Sequence, residues 1–416
     1  MELVNYLLLR KLAANLLNKV FSLKAPLDQS LEEFLKTNSN LSSVQRAWLY
    51  EVCSGVTRWK GVIDFVIDSL AKKKKPSGVT RRYLSIAIYQ IIAQEKTSSA
   101  KVIDETVELM KQEHGVESSR FINAVLRNFL RDFDFWKKDF EEKSLPKWLW
   151  IKLKEQQGEE WVKNFACASL NRPENWLRSH PSFNGDEFKS QVESGPFEFC
   201  WKVTQKGEIK KISGYQDKKF FVQDISNQKL VKDVTQIIVD NNLERKALDL
   251  CASPGGKSLG LAWNQFKVVA TDKKSNRFNK LHEITSYSSP GEIVVASFED
   301  IISDTAQFPL VWVDAPCSGV GIIRRHPEIR WFRTPKEVQQ LVKIQSELVN
   351  MAWKKVCPGG VFVYSVCSVL NEEGKNLIQN NLGNEEVIKE WFLSPQDIDQ
   401  GDGFWACAVK KQTSSQ

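Results

Sequence analysis

The spacing of apolar residues changes twice along the chain. Over the first 140 residues they recur at every third or fourth position. Leu3, Tyr6, Leu7, Leu9, Leu12, Leu16 and Leu17 form the first such stripe, Leu84, Ile86, Ile88, Ile91 and Ile92 a later one, and Phe121, Val125, Leu126 and Phe129 the last. That period predicts amphipathic helices. Asp28 ahead of Leu31, with Glu32 and Glu33 following, and Ser42 ahead of Ala47 read as helix starts. Pro26, the stretch 76–78 and Gly115 read as breaks. Residues 1–140 are therefore expected to form an all-helical bundle of six or seven short helices. Residues 141–245 are punctuated by Pro146, Pro173, Pro181 and Pro196, with strand candidates at 197–203 and 219–223. They read as a small mixed α/β connecting element. From 246 to 416, short apolar runs alternate with helical segments. The strand candidates are 247–250, 267–271, 292–296, 310–313 and 360–365, with 404–409 as a last, edge strand. Strands alternating with helices predict a mostly parallel, doubly wound sheet.

Composition narrows the class without naming a chemistry. Of 416 residues, 42% are hydrophobic and 26% charged, so the chain can bury real cores; disordered, collagen-like and coiled-coil classes are excluded. The net charge is +7 and the pI about 8.8, below the pI of ~9 that flags a nucleic-acid-binding domain outright. The surplus is uneven: residues 1–140 hold 22 Lys/Arg against 16 Asp/Glu, and the remaining 276 hold 36 against 35. Its densest spot is the lysine run 72–75 with Arg81 and Arg82, which is either a docking patch or a solvated loop. The leucine-rich start is broken by Arg10 and Lys11 and has no small-residue cleavage site, so it reads as an amphipathic helix. No apolar run is long enough for a membrane span. A cytoplasmic protein with no membrane partner is expected.

Eight cysteines and four histidines are present, and no two cysteines are spaced C-x-x-C. No metal site and no disulfide framework are expected. Cys251, Cys317, Cys357 and Cys367 lie at or just beyond the ends of apolar runs. A free cysteine is often just a small core residue, so surrounding residues must decide which ones react.

Four motifs carry candidate chemistry. Residues 249–258 read D-L-C-A-S-P-G-G-K-S, between a strand and a helix, where open α/β sheets bind ligands. The dinucleotide fingerprint G-x-G-x-x-G is absent. Position 251, where a P-loop needs its first glycine, is cysteine. A plain glycine turn is the alternative. Asp272 ends the next strand and is suited to accept ribose hydroxyls; capping the following helix is compatible with that role. Residues 314–321 read D-A-P-C-S-G-V-G and present Asp314 and Cys317 at the sheet edge. Arg324, Arg325 and Arg330, beside Trp331 and Phe332, suit phosphates and stacked bases, or else a solvated basic helix. Residues 364–368 read Y-S-V-C-S and are followed by Asn371, Glu372 and Glu373. Cys367 there is a candidate nucleophile, with a buried structural cysteine as the alternative.

Together these motifs resemble the Sun/RsmB family of RNA cytosine-5 methyltransferases, which use S-adenosylmethionine. The family pattern D-x-C-A-x-P-G-G-K-[ST] is matched at 249–258, and D-A-P-C-S-G-x-G followed by I-R-R-H-P-x-I-x-W at 314–331. The nucleophile motif is matched at 365–374, with Val366 and Gly374 as departures. The segment V-Q-D-I-S-N-Q at 222–228 resembles the family's run ahead of the catalytic domain. The resemblance implies a Rossmann-like class I methyltransferase fold over 246–416, a NusB-like RNA-binding domain over 1–140 and a connecting domain over 141–245. It implies Cys367 as nucleophile on carbon 6 of cytosine, Cys317 as the residue assisting adduct release, and Asp314 as the proton donor to ring nitrogen 3. Residues Cys251, Ala252, Ser253, Pro254, Gly255, Gly256 and Lys257 would wrap the cofactor's methionine and ribose, and Asp272 would take the ribose hydroxyls. The family's adenine-side acid falls at Ser297, with Glu299 and Asp300 nearby, and Asp314 borders the cofactor as well. The expected substrate is small-subunit ribosomal RNA and the expected state a monomer. A tRNA cytosine-5 methyltransferase and a non-catalytic ribosome assembly factor are the competing functions.

Overall fold

The computed structural model describes residues 6–72, 75–94, 97–183, 190–205, 207–273, 275–397 and 401–413. The chain divides into two units: Met1–Asn171 with Ile323–Phe332, and Arg172–Ile322 with Arg333–Gln416.

The first unit is helical throughout its described residues. Its main helices are Tyr6–Leu23, Leu27–Thr37, Ser43–Arg58, Lys60–Leu70, Gly78–Ala93 and Ser99–Arg131, followed by Lys147–Gln157 and Glu159–Leu170. The apolar stripes converge on one core, including Leu9, Leu16, Leu49, Val52, Ile63, Leu84, Ile88, Leu126 and Phe129. Ser42 caps its helix in a reciprocal capping box with Gln45. The second helix starts at Leu27, so Asp28 lies in its first turn. Gly115 interrupts Ser99–Arg131 with a φ of 82°. The last two helices carry this unit to Asn171, beyond the boundary at 140 expected from the sequence.

The segment Ile323–Phe332 is built into this helical unit, and its arginines correct the sequence reading. Arg330 is 1% exposed and donates to the carbonyls of Arg58, Ser144, Ser169 and Ile323 at 3.0–3.3 Å. Arg324 is equally buried, and its carbonyl accepts from the Arg58 guanidinium. Trp331 donates its indole N–H to the Thr57 carbonyl at 2.7 Å. The Glu328 carboxylate accepts from the Leu27 backbone N–H at 3.2 Å. Arg330 thus buries its charge among backbone carbonyls rather than offering it to phosphates, and Arg324 is buried as deeply. Arg325 stays half-exposed.

The second unit holds two sheets. The smaller is antiparallel: β1 (Trp176–Ser179), β2 (Val192–Ser194), β3 (Cys200–Val203) and β4 (Phe220–Val222), in the order β2-β3-β1-β4. The larger contains β5 (Lys246–Asp249), β6 (Lys267–Ala270), β7 (Glu292–Val295), β8 (Phe308–Asp314), β9 (Val356–Val366), β10 (Glu386–Leu393) and β11 (Phe404–Lys410). Its order is β10-β11-β9-β8-β5-β6-β7; β9 through β7 run parallel, and β11 and β10 close it antiparallel. The Phe404–Lys410 strand is therefore interior, flanked on both sides, and β10 is the edge. Its first six residues are all buried, as a strand covered on both faces requires. Alternation assigns the two cores: Leu310, Trp312, Val361 and Val363 face one side, and Val311, Val313, Phe362 and Tyr364 the other. The chain moves outward from β5 through β6 to β7, then returns to β5's other side as β8. That reversal is the switch point at which such sheets bind ligands, at the carboxyl ends of β5 and β8.

Candidate active site

Three loops leave the carboxyl edge next to one another because their strands pair in register. Asp249 pairs with Trp312, and Asp314 with Ser365. The loop after β5 contains Cys251 to Gly255 and runs into the helix Gly256–Trp263. Gly255 turns it with a φ of 105°, and a Cβ there would lie 2.6 Å from Ile284, so only glycine fits. The Ala252 N–H donates to the Thr271 carbonyl at 3.0 Å, which sets this loop beside buried Asp272.

Asp249 is fully buried. Its Oδ2 accepts from the Ser258 hydroxyl at 2.6 Å, and its Oδ1 has no protein partner. Burial pushes its carboxyl up to about 7; the Ser258 hydrogen bond and Lys257 oppose this, while Asp314 and Asp272 add to it. Lys257 donates to Asp314 Oδ2 at 2.6 Å. Burial pulls the Lys257 ammonium down, but the charges of Asp314 and Cys367 outweigh it and hold the group above its usual range. The other oxygen of Asp314 accepts from the Ser365 hydroxyl at 2.8 Å, and Ser365 accepts from the Trp312 indole at 3.0 Å. Asp314 is thus fixed from both sides.

The parallel pairing of β8 and β9 brings Cys317 and Cys367 together from fifty residues apart. Cys317 hydrogen-bonds Cys367, and that bond, with burial and the charges of Cys367 and Glu373, pushes the Cys317 thiol well up; the Gly319 backbone opposes it. Cys317 is therefore a neutral donor toward the Cys367 sulfur. The loops are also tied through Gly321, whose N–H donates to the Cys367 carbonyl at 3.0 Å. A Cβ on Gly321 would lie 1.9 Å from the Gly403 carbonyl oxygen.

Residues 236–408 match the family described as 16S rRNA methyltransferase RsmB/F, and residues 8–131 match the NusB family. The segment 236–408 belongs to the RsmB/F methyltransferase family, and the helical segment 8–131 to the NusB family. The protein is an RNA methyltransferase, and S-adenosylmethionine is its methyl donor. Among its relatives, the ribosomal RNA small subunit methyltransferase B of Klebsiella pneumoniae (strain 342) is 28% identical, covering 87% of this chain and 89% of that protein. That of Cronobacter sakazakii is 27% identical over 95% of this chain and all of that protein. The crystal structure of PH0851 shares the fold at a TM-score of 0.71 and 19% identity, covering 97% of this chain and 99% of the other. NSun6 from Pyrococcus horikoshii, determined with SFG, has a TM-score of 0.56 at 15% identity, covering 64% of this chain and 98% of the other.

The structure of this RsmB/F-family enzyme gathers Cys251, Lys257, Asp272, Asp314, Cys317 and Cys367 along one sheet edge. Ser297 stands just past β7, where its hydroxyl caps the helix Phe298–Ser303 by accepting from the Asp300 N–H. The segment at 222–228 joins the same unit: Asp224 accepts from the backbone of Ser226 and Asp402, and the Ser226 hydroxyl donates to the Asp402 carbonyl. Among the described residues, no cluster of His, Cys, Asp or Glu could hold a metal, and no helix is long and apolar enough to cross a membrane. The sequence alone assigns no role to Glu373 or Gln345. Glu373 lies within the Cys367 motif at 365–374, but only the fold shows what it holds.

Proposed function

We propose that this enzyme methylates carbon 5 of a cytosine in small-subunit ribosomal RNA through a covalent bond from Cys367 to carbon 6. The observation that carries this reading is the contact between Cys317 and Cys367 beside the Lys257–Asp314 ion pair. The cofactor loop fits its ligand: a glycine turn at Gly255 admits close approach, and the orphaned Asp249 Oδ1 is an acceptor for the methionine amino group. Cys251, Ala252, Ser253, Pro254, Gly255, Gly256 and Lys257 would wrap methionine and ribose, Asp272 would take the ribose hydroxyls, and Ser297 would stand at the adenine side, with Asp314 at the border with the base. When bound, S-adenosylmethionine supplies an electrophilic methyl carbon and leaves as S-adenosylhomocysteine.

The Cys367 thiolate adds to carbon 6 while nitrogen 3 receives a proton that the Lys257 ammonium passes on through the Asp314 carboxylate. Carbon 5, now an enamine carbon, takes the methyl group. Removal of the carbon 5 proton then breaks the sulfur–carbon 6 bond and restores the thiolate, and nitrogen 3 returns its proton to the Asp314–Lys257 pair, releasing 5-methylcytosine. Splitting one hard step in two is the advantage of covalent catalysis. Cys317 is suited to the last step by its neighbour. Once Cys367 is bonded to carbon it can no longer accept the Cys317 hydrogen bond or repel a Cys317 charge. The largest cause of the raised Cys317 thiol is then gone, so Cys317 can give its proton to water and its thiolate can take the carbon 5 proton. The helical unit would dock RNA, and the target base must leave its stack, at a cost of a few kcal/mol.

The test is adduct trapping on unmodified small-subunit ribosomal RNA. Cys317→Ala should accumulate a denaturant-stable protein–RNA adduct, and Cys367→Ala should form none and lose methylation. Full activity of Cys367→Ala would overturn the mechanism. Methylation confined to tRNA would favour the competing substrate.

A further inference from the structure

Glu373 has no accessible surface, yet none of its hydrogen-bond partners is a cation. A buried carboxylate is tolerated only when its oxygens are well supplied with donors. Here they are supplied by the two cysteine loops. The backbone N–H of Ser318, the residue after Cys317, donates to Oε1 at 2.7 Å, and the Ser318 hydroxyl donates to Oε2. The hydroxyl of Ser368, the residue after Cys367, donates to Oε2 at 2.6 Å. The Gln345 amide donates to Oε1 at 3.0 Å and to the Pro316 carbonyl at 2.9 Å, so it braces the same loop from the helix Pro335–Trp353. Tyr364 donates to the Glu373 carbonyl at 2.9 Å, which fixes the carboxylate's own backbone.

We infer that Glu373 is a positioning residue for the covalent step, holding the Ser318 and Ser368 ends of the two loops so that the Cys317 and Cys367 sulfurs stay in contact. The inference rests on the reading of Cys367 as nucleophile. Parallel pairing alone sets the loops' starting points at Asp314 and Ser365, but each cysteine lies beyond the last paired residue. Glu373 joins the loops just past the cysteines, where the strands no longer do. Its charge also favours the Cys317 thiol over the thiolate, which leaves Cys367 as the sulfur free to attack. One carboxylate thereby both sets the geometry and keeps the two sulfurs in different roles.

The test uses the full-length enzyme without RNA and iodoacetamide as probe, with alkylation of Cys367 and Cys317 read separately by peptide mass spectrometry. In the wild type, Cys367 should be alkylated well ahead of Cys317. Glu373→Gln keeps shape and volume but removes the charge and turns one acceptor into a donor. In that variant the Cys367-to-Cys317 ratio should fall about tenfold or more, the scale set by losing a charged hydrogen bond. A merely structural role would lower the melting temperature and leave the ratio in the folded protein unchanged. A ratio within twofold of wild type in folded Glu373→Gln overturns the inference. Should that variant lack a melting transition, the double variant Ser318→Ala/Ser368→Ala, which keeps the carboxylate, is judged by the same ratio and the same threshold. Failure of Cys317→Ala to trap an RNA adduct would instead sink the nucleophile assignment, a separate measurement that leaves the alkylation ratio readable.

Discussion

Asp249 shows how one buried group sets a condition on the whole site. Its neighbours are Ser258 and Lys257, which favour the charge, and Asp314 and Asp272, which oppose it; burial outweighs them all and raises its pKa to about 7. The folded protein therefore holds the Asp249 proton more tightly than the unfolded chain does, where an aspartate titrates near ~3.9. The stabilising contribution is complete below that unfolded value and is lost as pH rises through about 7. Asp249→Asn cannot ionise and should not show this loss. The stability of the wild type relative to Asp249→Asn should decline between pH ~4 and ~7, by at most about 1.4 kcal/mol per pH unit, then level off. Urea unfolding of both proteins across that range is the measurement, and a pH-independent difference would refute the assignment. The same balance holds for Lys257 with the opposite outcome: the charges of Asp314 and Cys367 outweigh desolvation and keep its ammonium above the usual range.

At the scale of the element, the segment Ile323–Phe332 is informative. It follows the Cys317 loop in sequence, yet its side chains belong to the helical unit. Arg330 ends there as a buried fork serving four carbonyls drawn from separate stretches of chain. Burial lowers its pKa, the nearby Arg58 charge lowers it further, and Glu328 partly offsets both. Arg330→Ala would strand those carbonyls without donors. It should destabilise the helical unit by about 3 kcal/mol or more, given ~1–3 kcal/mol for each buried group left unsatisfied. Chemical denaturation followed by circular dichroism would detect it, and a change under about 0.5 kcal/mol, the scale of an ordinary surface substitution, would show the fork to be dispensable. This is also where the sequence misleads. Arginines interleaved with aromatics look like a nucleic-acid surface, because buried arginines are rare and local sequence says nothing about which face is covered. The parallel strands, by contrast, announce themselves as continuous apolar runs, and the motifs at 249–258, 314–321 and 364–368 fall at their carboxyl ends as sheet topology demands. The small sheet stays hidden because strands of three or four residues are too short to display a period. The edge position of β10 is hidden for another reason. Edge and interior are properties of pairing, and Glu386–Leu393 mixes polar and apolar residues without strict alternation.

For the whole molecule, charge separates by unit. The helical unit, with its inserted segment, carries 30 Lys/Arg against 22 Asp/Glu, and the second unit 28 against 29. On the proposed docking role of the helices, they would supply the long-range attraction to an RNA backbone, while the near-neutral second unit would orient base and cofactor by short-range interactions. Not every cation in the helical unit is available. Arg81 binds Asp64 and Asp68 at 2.7 Å each, joining the helices Lys60–Leu70 and Gly78–Ala93, so it serves packing first. Lys72 is exposed, and Lys75 lies 3.6 Å from Asp68; Lys73 and Lys74 fall outside the described residues. Replacing the run 72–75 with alanine should weaken RNA binding most at low salt. It should reduce the slope of log affinity against log salt concentration by about one unit for each phosphate that a lysine no longer neutralises. Arg81→Ala should act differently, lowering the melting temperature by loosening the helix junction while leaving most of that slope intact. Filter binding of a small-subunit ribosomal RNA fragment between ~50 and ~200 mM salt distinguishes the two. An unchanged slope after removing all four lysines would assign that run to solvent and move the docking charge elsewhere on the helical unit.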